Sequence, residues 1–324
     1  MPESALADRA ETATAAPQRG DASLVKNPES AFDASRRRSY RVFVFPAVIV
    51  FVLILVLPTL FTIASSFTSW SGSGAMTFVG FDNYARMFRD PKFLVAVGNT
   101  FWIVVGVGVL VYAISFGLTL VLQNALGRKA IRSIIFFPTL IPGIVISILW
   151  GFLFNPDGLI NGFLRIIGVV DPPPWLGSSL IFPTILLGMT WLSVGMYTII
   201  LLSAADRIPP EYYEVADLAG ASALQRFRYV TLPLMWDVVS VTAVLWCITS
   251  LKTFEFLLTF SSTSGTLPDT GIWNLAVYSY AAAFPAGGVA NFGASAACGV
   301  IMLLLALVLT ILVRRIMRGD DIEY

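Results

Sequence analysis

The residues of this chain that could do chemistry are few, and the densest group of them is acidic. Glu211, Glu214 and Asp217 lie in the segment 209–233, PPEYYEVADLAGASALQRFRYVTLP. Carboxylates can bind metals, transfer protons or form ion pairs. The chain contains no His, however, and His is the side chain that titrates near neutral pH and the commonest metal ligand. We therefore expect no catalytic residue and no metal site, and we interpret the carboxylates as groups that recognise a partner by charge.

A second charged group, Lys252 and Glu255, lies within an apolar run. A lone charge at the centre of a membrane helix costs roughly 2.5–3.5 kcal/mol on insertion scales. Side chains three residues apart on a helix can pair, so we predict an intramembrane ion pair. At 1.5 Å per residue the pair lies roughly 27 Å along the helix from Pro233, which places it near the outer end of its span.

Polar and aromatic side chains also recur at helical spacing in two apolar runs. Sugars bind through aromatic faces against their C–H groups and through hydrogen bonds to their hydroxyls. Polar groups that face lipid are costly, so such stripes are candidates for a solute path. Ordinary helix packing is the alternative, because Ser and Thr are common at membrane helix interfaces, and the sequence leaves both open. The candidates are Trp191, Ser193 and Tyr197 in one run and Trp246, Ser250 and Thr253 in the next.

The composition is that of an integral membrane protein. The chain has 56% hydrophobic and 13% charged residues and a mean hydropathy of +0.78, whereas about 25% of the residues of a typical soluble protein are charged. Its net charge of +1 argues against a nucleic-acid partner. Cys247 and Cys298 fall in apolar runs, where we expect buried packing and no disulfide framework.

We predict an all-α polytopic membrane protein with six transmembrane helices. Residues 1–38 contain no apolar run long enough for a signal-peptide core, and we interpret them as a disordered cytoplasmic tail. The transmembrane domain then covers residues 39–324, because a spanning helix needs roughly 20 apolar residues and six runs are long enough. The predicted spans are approximately 42–67, 95–122, 130–154, 180–204, 234–260 and 292–313.

The distribution of positive charge predicts the orientation, since loops rich in Lys and Arg stay in the cytoplasm. Of the 21 Lys and Arg residues, 16 lie on the side that carries both termini and 4 on the opposite side, and the last, Lys252, lies within a span. We therefore expect both termini, and with them the loop 205–233, to be cytoplasmic.

The loop 205–233 has the pattern of a short amphipathic helix. Paired prolines suit its first turn, acidic residues follow at its positive dipole end, and Gly220 can end it in the left-handed conformation. We expect a bend there into a second segment, 222–229, before Pro233 opens the next span. The helix could lie on the membrane surface or dock on a cytoplasmic protein. Its acidic polar face favours docking, because surface helices usually carry Lys and Arg.

This loop resembles the EAA loop of bacterial ATP-binding-cassette importer permeases, whose motif reads E-A-A-x3-G-x9-I-x-L-P. The chain departs from the motif only by Val for the second Ala and Val for the Ile. Three stretches, FVGFDNYARMFRDPKF, FFPTLIPGIVISILWGFLFNPDGLIN and IPPEYYEVADLAGAS, resemble the first permease of carbohydrate-uptake systems in this superfamily. The residues that match the motif are Glu214, Ala216, Gly220, Leu232 and Pro233.

The resemblance implies a type I importer permease fold, in which the loop is a coupling helix seated on a separate ATPase subunit. It also implies a second related permease, two copies of the ATPase and an extracytoplasmic solute-binding protein, all at a bacterial cytoplasmic membrane. ATP and Mg²⁺ would bind to the ATPase. No Lys of this chain follows a Gly, so it has no Gly-Lys-Ser/Thr phosphate loop, and we expect it to bind no cofactor. The implied ATPase-coupling residues are Glu214, Ala216, Asp217, Gly220, Leu232 and Pro233.

The cargo that the resemblance implies is a sugar, preferably a disaccharide or oligosaccharide, with glycerol phosphate or a polyol as the alternative. Two other classes of protein remain open. An ion-coupled secondary carrier would fit six spans and the charged pair, but it predicts inverted repeats with broken helices, and we find no convincing repeat. A membrane enzyme is disfavoured by the absence of His.

Overall fold

A computed structural model describes residues 44–123, 125–260 and 267–317, so the predicted tail 1–38 lies outside the described residues. The described part is almost entirely helical, with one two-stranded antiparallel hairpin, β1 (Thr68–Ser69) and β2 (Thr77–Phe78). It divides into two units, one ending at Pro58 and one beginning at Thr59. In chain order the helices are α1 (Val44–Ser65), α2 (Asp82–Arg89), α3 (Pro91–Leu122), α4 (Arg128–Leu140), α5 (Gly143–Leu153), α6 (Leu159–Ile166), α7 (Ile181–Ala205), α8 (Pro210–Leu218), α9 (Ala223–Leu234), α10 (Trp236–Lys252), α11 (Glu255–Phe260), α12 (Leu275–Ala283) and α13 (Phe292–Ile316).

Among the described residues, four helices, α1, α3, α7 and α13, are long and apolar enough to cross a membrane by themselves. Two bent pairs raise the number to six if each pair counts as one span: α4 with α5, bent by 96°, and α9 with α10, bent by 75°. The predicted class, an all-α polytopic membrane protein, is therefore confirmed. The helices begin and end close to the predicted limits, except in the third and fifth spans.

The third predicted span, 130–154, is broken at Ile141. This residue has an extended backbone, with φ −89° and ψ 133°, because the following Pro142 clashes with a helical conformation of its neighbour. A new helix, α5, begins directly after the proline. The backbone conformation that proline imposes thus turns one apolar run into two half-helices.

The fifth predicted span, 234–260, is broken at Thr253, whose ψ of 111° is extended. The carbonyl oxygen of Thr253 accepts a hydrogen bond from Nδ2 of the buried Asn274. This bond replaces the one that helix continuation would have supplied. Thr253 itself is the cap of α10: its φ of −63° is helical and its hydroxyl donates to the carbonyl of Thr249 at 3.1 Å, so the stripe of Trp246, Ser250 and Thr253 ends where the helix ends.

Helices α3 and α7 pack together at the centre of the unit that begins at Thr59. A large apolar cluster surrounds them, and a smaller cluster centred on Leu201, Met235 and Val239 lies beside the start of α10. Tyr112, on α3, packs against both clusters. Cys247 and Cys298 are free and buried, which confirms the prediction that they pack in the interior.

Hydrogen bonds identify which elements meet at each end of the bundle. At one end, Nε1 of Trp236 donates to the carbonyl of Met317, 3.0 Å away, so the start of α10 lies beside the end of α13. At the other end, Nδ2 of Asn99 donates to the carbonyls of Gly271 and Trp273 at 2.8 and 2.9 Å. The loop 205–233 belongs to the first of these ends.

Candidate functional site

The loop 205–233, called the EAA loop below, contains the short helix α8. Its end has the geometry of a Schellman motif. The backbone amide of Gly220 donates to the carbonyl oxygen of Asp217 at 2.9 Å, and the backbone amide of Ala221 donates to the carbonyl oxygen of Ala216 at 3.0 Å. Gly220 has a φ of +73°, and a Cβ there would meet nothing within 4 Å. The position therefore favours glycine for its backbone conformation and not for space, as the sequence predicted.

The second segment of the EAA loop, α9, is longer than predicted. Ser222 and Gln225 form a capping box at its start, and a π-helical turn, Phe227–Thr231, carries the chain onward to Leu234. Pro233 therefore does not open the next span. It lies within the last turn of α9, and α10 begins at Trp236 after the bend.

The surface of α8 is open. Val215 is 67% exposed and Leu218 is 90% exposed, and Glu211 and Glu214 are exposed beside them. Neither glutamate forms an ion pair with a described residue. The end of α8 therefore presents an exposed leucine next to carboxylates without an ion-pair partner among the described residues. Such a surface is suited to docking on another protein.

The other predicted coupling residues have different surroundings. Asp217 forms an ion pair with Nη1 of Arg226 at 2.7 Å, so its carboxylate joins α8 to α9 within the loop. Ala216 is half-buried, and Leu232 is half-buried against the smaller apolar cluster. Leu232 therefore anchors the loop to the bundle, and the exposed face is formed by the residues that precede Gly220.

A row of polar side chains joins α8 to the end of α3. Nε2 of Gln123 donates to the hydroxyl of Tyr213 at 3.1 Å, and that hydroxyl lies 3.1 Å from Oγ1 of the buried Thr231. Three elements thus share one hydroxyl group. Tyr213 was not among the predicted site residues, although an aromatic residue among carboxylates on a short helix is a recognisable pattern for such a link.

Asp206 forms a second link that the sequence analysis missed. Its carboxylate pairs with Arg128 at 3.0 Å and with Arg132, both on α4. The start of α4 is therefore tied to the first residues of the EAA loop, at the end of α7. The signal for this contact was the pair of arginines at the start of α4, since residues 123–140 contain no acid that could pair with them. A cleft of about 470 Å³ between these links and α8 is lined by Arg128, Asp206, Tyr213, Glu214 and Arg226 among others.

Three of the six candidates for the solute path are buried in the bundle. Trp246 is 6% exposed, and its Nε1 donates to the carbonyl of Val104 at 2.7 Å. Tyr197 packs edge-on against the Trp246 ring, and Ser250 donates to the carbonyl of Cys247. For these residues the packing alternative is supported, because their polar groups are satisfied inside the protein.

The remaining candidates are accessible. Trp191 is 44% exposed and lines an open, mostly apolar cavity of about 580 Å³ with Pro138 and Thr190. Its ring centroid lies 5.7 Å from that of Trp150, a residue that the sequence analysis did not single out. Ser193 and Thr253 are half-buried. An exposed aromatic ring therefore exists at Trp191 and not at Trp246.

The predicted ion pair between Lys252 and Glu255 is not formed. Both side chains are exposed, and the helix break at Thr253 places Lys252 at the end of α10 and Glu255 at the start of α11. Spacing of three residues brings side chains together only on one continuous helix. Oε2 of Glu255 instead lies 3.6 Å from the position that a Cβ on Gly143 would occupy, beside the start of α5.

The two half-helices α5 and α11 pack side by side. Oγ of Ser147 donates to the carbonyl of Phe256 at 2.8 Å, and a Cβ on Gly151 would lie 2.9 Å from the carbonyl oxygen of Phe260. Both helices begin at the same level, next to Glu255. Broken helices whose starts meet inside a membrane bundle are a feature of transport proteins.

A polytopic helical bundle with broken spans and a docking helix at one end defines a membrane-embedded transport component. Residues 110–319 match the family described as the inner membrane component of binding-protein-dependent transport systems. The chain belongs to this family, which confirms the expected identity as a non-catalytic ABC importer permease.

Two curated relatives illustrate the family. The chain is 28% identical over 292 residues to the diacetylchitobiose uptake system permease protein NgcF of Streptomyces coelicolor, covering 85% of this chain and 81% of the relative. It is 30% identical over 248 residues to the trehalose/maltose transport system permease protein MalF of Thermococcus litoralis, covering 74% and 80%.

A solved structure supports the fold. A chain of a bacterial ABC transporter involved in the import of the acidic polysaccharide alginate superimposes with a TM-score of 0.76 at 22% identity, covering 90% of this chain and 98% of that one. The agreement over nearly the whole chain confirms the type I importer permease fold.

Proposed function

We propose that this chain is one of two related permease subunits of an ATP-driven importer for a disaccharide or short oligosaccharide. Two copies of a separate ATPase subunit bind ATP and Mg²⁺ and drive the transport cycle, and this chain binds no cofactor itself. An extracytoplasmic binding protein delivers the solute. Both termini and the EAA loop face the cytoplasm.

The observation that carries the proposal is the exposed face of α8. Leu218 and Val215 form an exposed apolar patch that could fill a pocket on a partner. Glu211 and Glu214, which form no ion pair with a described residue, add negative charge beside this patch. Tyr213 joins α8 to the end of α3, and Asp217 joins α8 to α9. A docked ATPase could therefore move the bundle through α8.

The proposed cargo rests on the relatives and on the accessible aromatic ring. Relatives of this chain are named for transport of diacetylchitobiose, trehalose or maltose, and the structural neighbour for import of a polysaccharide. We assign the solute path to Trp191, Ser193 and Thr253, because these three of the six candidates are not buried, and an exposed indole ring and hydroxyl groups suit a sugar. Lys252 and Glu255 lie on either side of the helix break at Thr253 and would face the solute as separate charges.

The docking claim is tested by reversing charge and apolar character on α8. In Glu214→Arg and Leu218→Arg, we expect the chain to reach the membrane in normal amounts but to lose the ATPase on purification in mild detergent. Val289→Arg is the matched control, because Val289 is 82% exposed in a loop that lies far along the chain from the EAA loop. Equal recovery of the ATPase with all three variants would refute docking on α8.

A further inference from the structure

Five aromatic rings form a continuous row through the bundle, which we call the aromatic row. It begins on α10, crosses α7 and α3 and ends in the EAA loop. Successive ring centroids are 5.6 Å apart from Trp246 to Tyr197, 5.7 Å from Tyr197 to Tyr112, 5.8 Å from Tyr112 to Phe116 and 5.8 Å from Phe116 to Phe227. Each distance lies in the range of attractive ring pairs.

The inner end of the row is fixed to an irregular turn of α3. Trp246 donates its indole N–H to the carbonyl of Val104, which lies in a π-helical turn, Trp102–Val107. Gly108 permits this approach, because a Cβ there would lie 2.5 Å from Nε1 of Trp246. The wide turn and the missing side chain together form the seat of the indole ring.

The outer end of the row is fixed to α8. Phe227 is the first residue of the π-helical turn in the EAA loop and directly follows Arg226, which pairs with Asp217 on α8. A displacement of α8 therefore pulls on the backbone next to Phe227. The row thus joins two π-helical turns, a type of irregularity that is common at functional sites.

The middle of the row joins the two apolar clusters. Tyr112 packs against both, and Phe116 packs against the smaller one. Protein interiors are packed as densely as organic crystals and transmit strain, so a ring displaced at one end must move its neighbours. The row is one contiguous packed route from the EAA loop to α10.

From this geometry we propose that the aromatic row transmits the movement of α8 to α3, α7 and α10 during transport. Its members are positioning residues, which set the arrangement of the helices and contact no nucleotide. This inference rests on the proposed function, because it requires an ATPase to move α8. The test therefore measures the energetic coupling between nucleotide binding and α7 directly.

The test uses a reporter thiol on α7 in the whole transporter. The tagged chain with Ser193→Cys is purified with its partners from its own cells and placed in lipid nanodiscs. The rate of alkylation at position 193 by a water-soluble maleimide is measured with and without ATP and vanadate. The native thiols of Cys247 and Cys298 are buried, and their background is measured in the chain without the reporter. The comparison is made within each variant, so the baseline effect of Ser193→Cys cancels.

The row is broken by Phe116→Leu or Phe227→Leu. Tyr112→Phe keeps the ring and removes only the hydroxyl. Phe182→Leu is the matched control, because Phe182 is half-buried on α7 and packs against the large cluster outside the row. Recovery of the ATPase and retention of nucleotide after vanadate treatment are recorded for every variant.

With the row intact, we expect nucleotide trapping to change the alkylation rate about tenfold, within the range of about 5- to 150-fold typical of coupled sites. Tyr112→Phe and Phe182→Leu should retain this response. Phe116→Leu and Phe227→Leu should lose most of it while still trapping nucleotide, and the double variant should lose no more than either single variant, because they break one chain of contacts.

Two results would overturn the inference. An alkylation response of Phe116→Leu equal to that of Phe182→Leu would show that the row transmits nothing. If Phe116→Leu prevents assembly of the transporter, the same comparison is made between Phe227→Leu and Phe182→Leu. If the parent chain recovers no ATPase and traps no nucleotide, the proposed function itself fails and the inference fails with it. ATPase recovery in the parent therefore distinguishes the two failures.

Discussion

At the scale of single residues, Gly220 shows how one backbone conformation can control a docking surface. Its positive φ allows the two hydrogen bonds of the Schellman motif to form at the end of α8. Leu218 lies exposed at this end of the helix. A side chain with a branched Cβ in this conformation is strained, at a cost on the order of 1–2 kcal/mol. The end of α8 would then unwind or turn in another direction.

We therefore expect Gly220→Val to reduce solute uptake strongly, with the protein still inserted in the membrane. Gly220→Asn is the matched control, because Asn tolerates the left-handed conformation. Uptake by cells and recovery of the ATPase are the measurements. If Gly220→Val transports as well as Gly220→Asn, the conformation of this residue does not matter for coupling.

Trp246 illustrates a residue whose type suggests one role and whose surroundings support another. Its ring is buried and its N–H is bonded to Val104. Trp246→Phe leaves that carbonyl without its donor, so we expect a loss of stability of about 1–3 kcal/mol. The variant should unfold at a lower temperature in detergent, with unchanged preference among solutes. A changed solute preference at unaltered stability would contradict the packing role.

At the scale of elements, Tyr213 ties α8 to the end of α3 and to α9 through one hydroxyl. We expect Tyr213→Phe to bind the ATPase normally, because the exposed face is unchanged, but to hydrolyse more ATP per solute imported. Tyr229→Phe is the control, since Tyr229 is 70% exposed in the same loop. Hydrolysis and uptake are measured together in proteoliposomes. An unchanged ratio for Tyr213→Phe would show that the link has no part in coupling.

Sequence patterns predicted the long helices and α8, because these helices depend on neighbouring residues. A continuous apolar run forms each long helix, and prolines at the start and a glycine after the end delimit α8. They did not predict the break at Thr253, since it depends on the amide of Asn274, far along the chain. The same reason explains the failed Lys252–Glu255 pair. Helical spacing is a local rule, and a contact from a distant residue overrode it.

At the scale of the whole molecule, membership in the importer permease family could be predicted from motifs that are visible in the sequence. The candidate site was predicted less completely. Glu214 and Gly220 lie where the motif implied, whereas Asp206 and Tyr213 emerged only when distant segments were brought together. Burial separated Trp191 from Trp246, which have equivalent patterns in the sequence. Burial is a property of the packed bundle and not of one helix.

Assembly into an ATP-driven importer is best tested by the composition and activity of the complex that this chain forms in its own cells. The tagged chain is purified in mild detergent, its partners are identified by mass spectrometry, and uptake is measured after reconstitution with and without ATP. We predict a second permease, two copies of an ATPase and uptake that requires ATP and a sugar-loaded binding protein. A chain that is recovered alone and still transports solute without ATP would contradict the assignment to an ATP-driven importer.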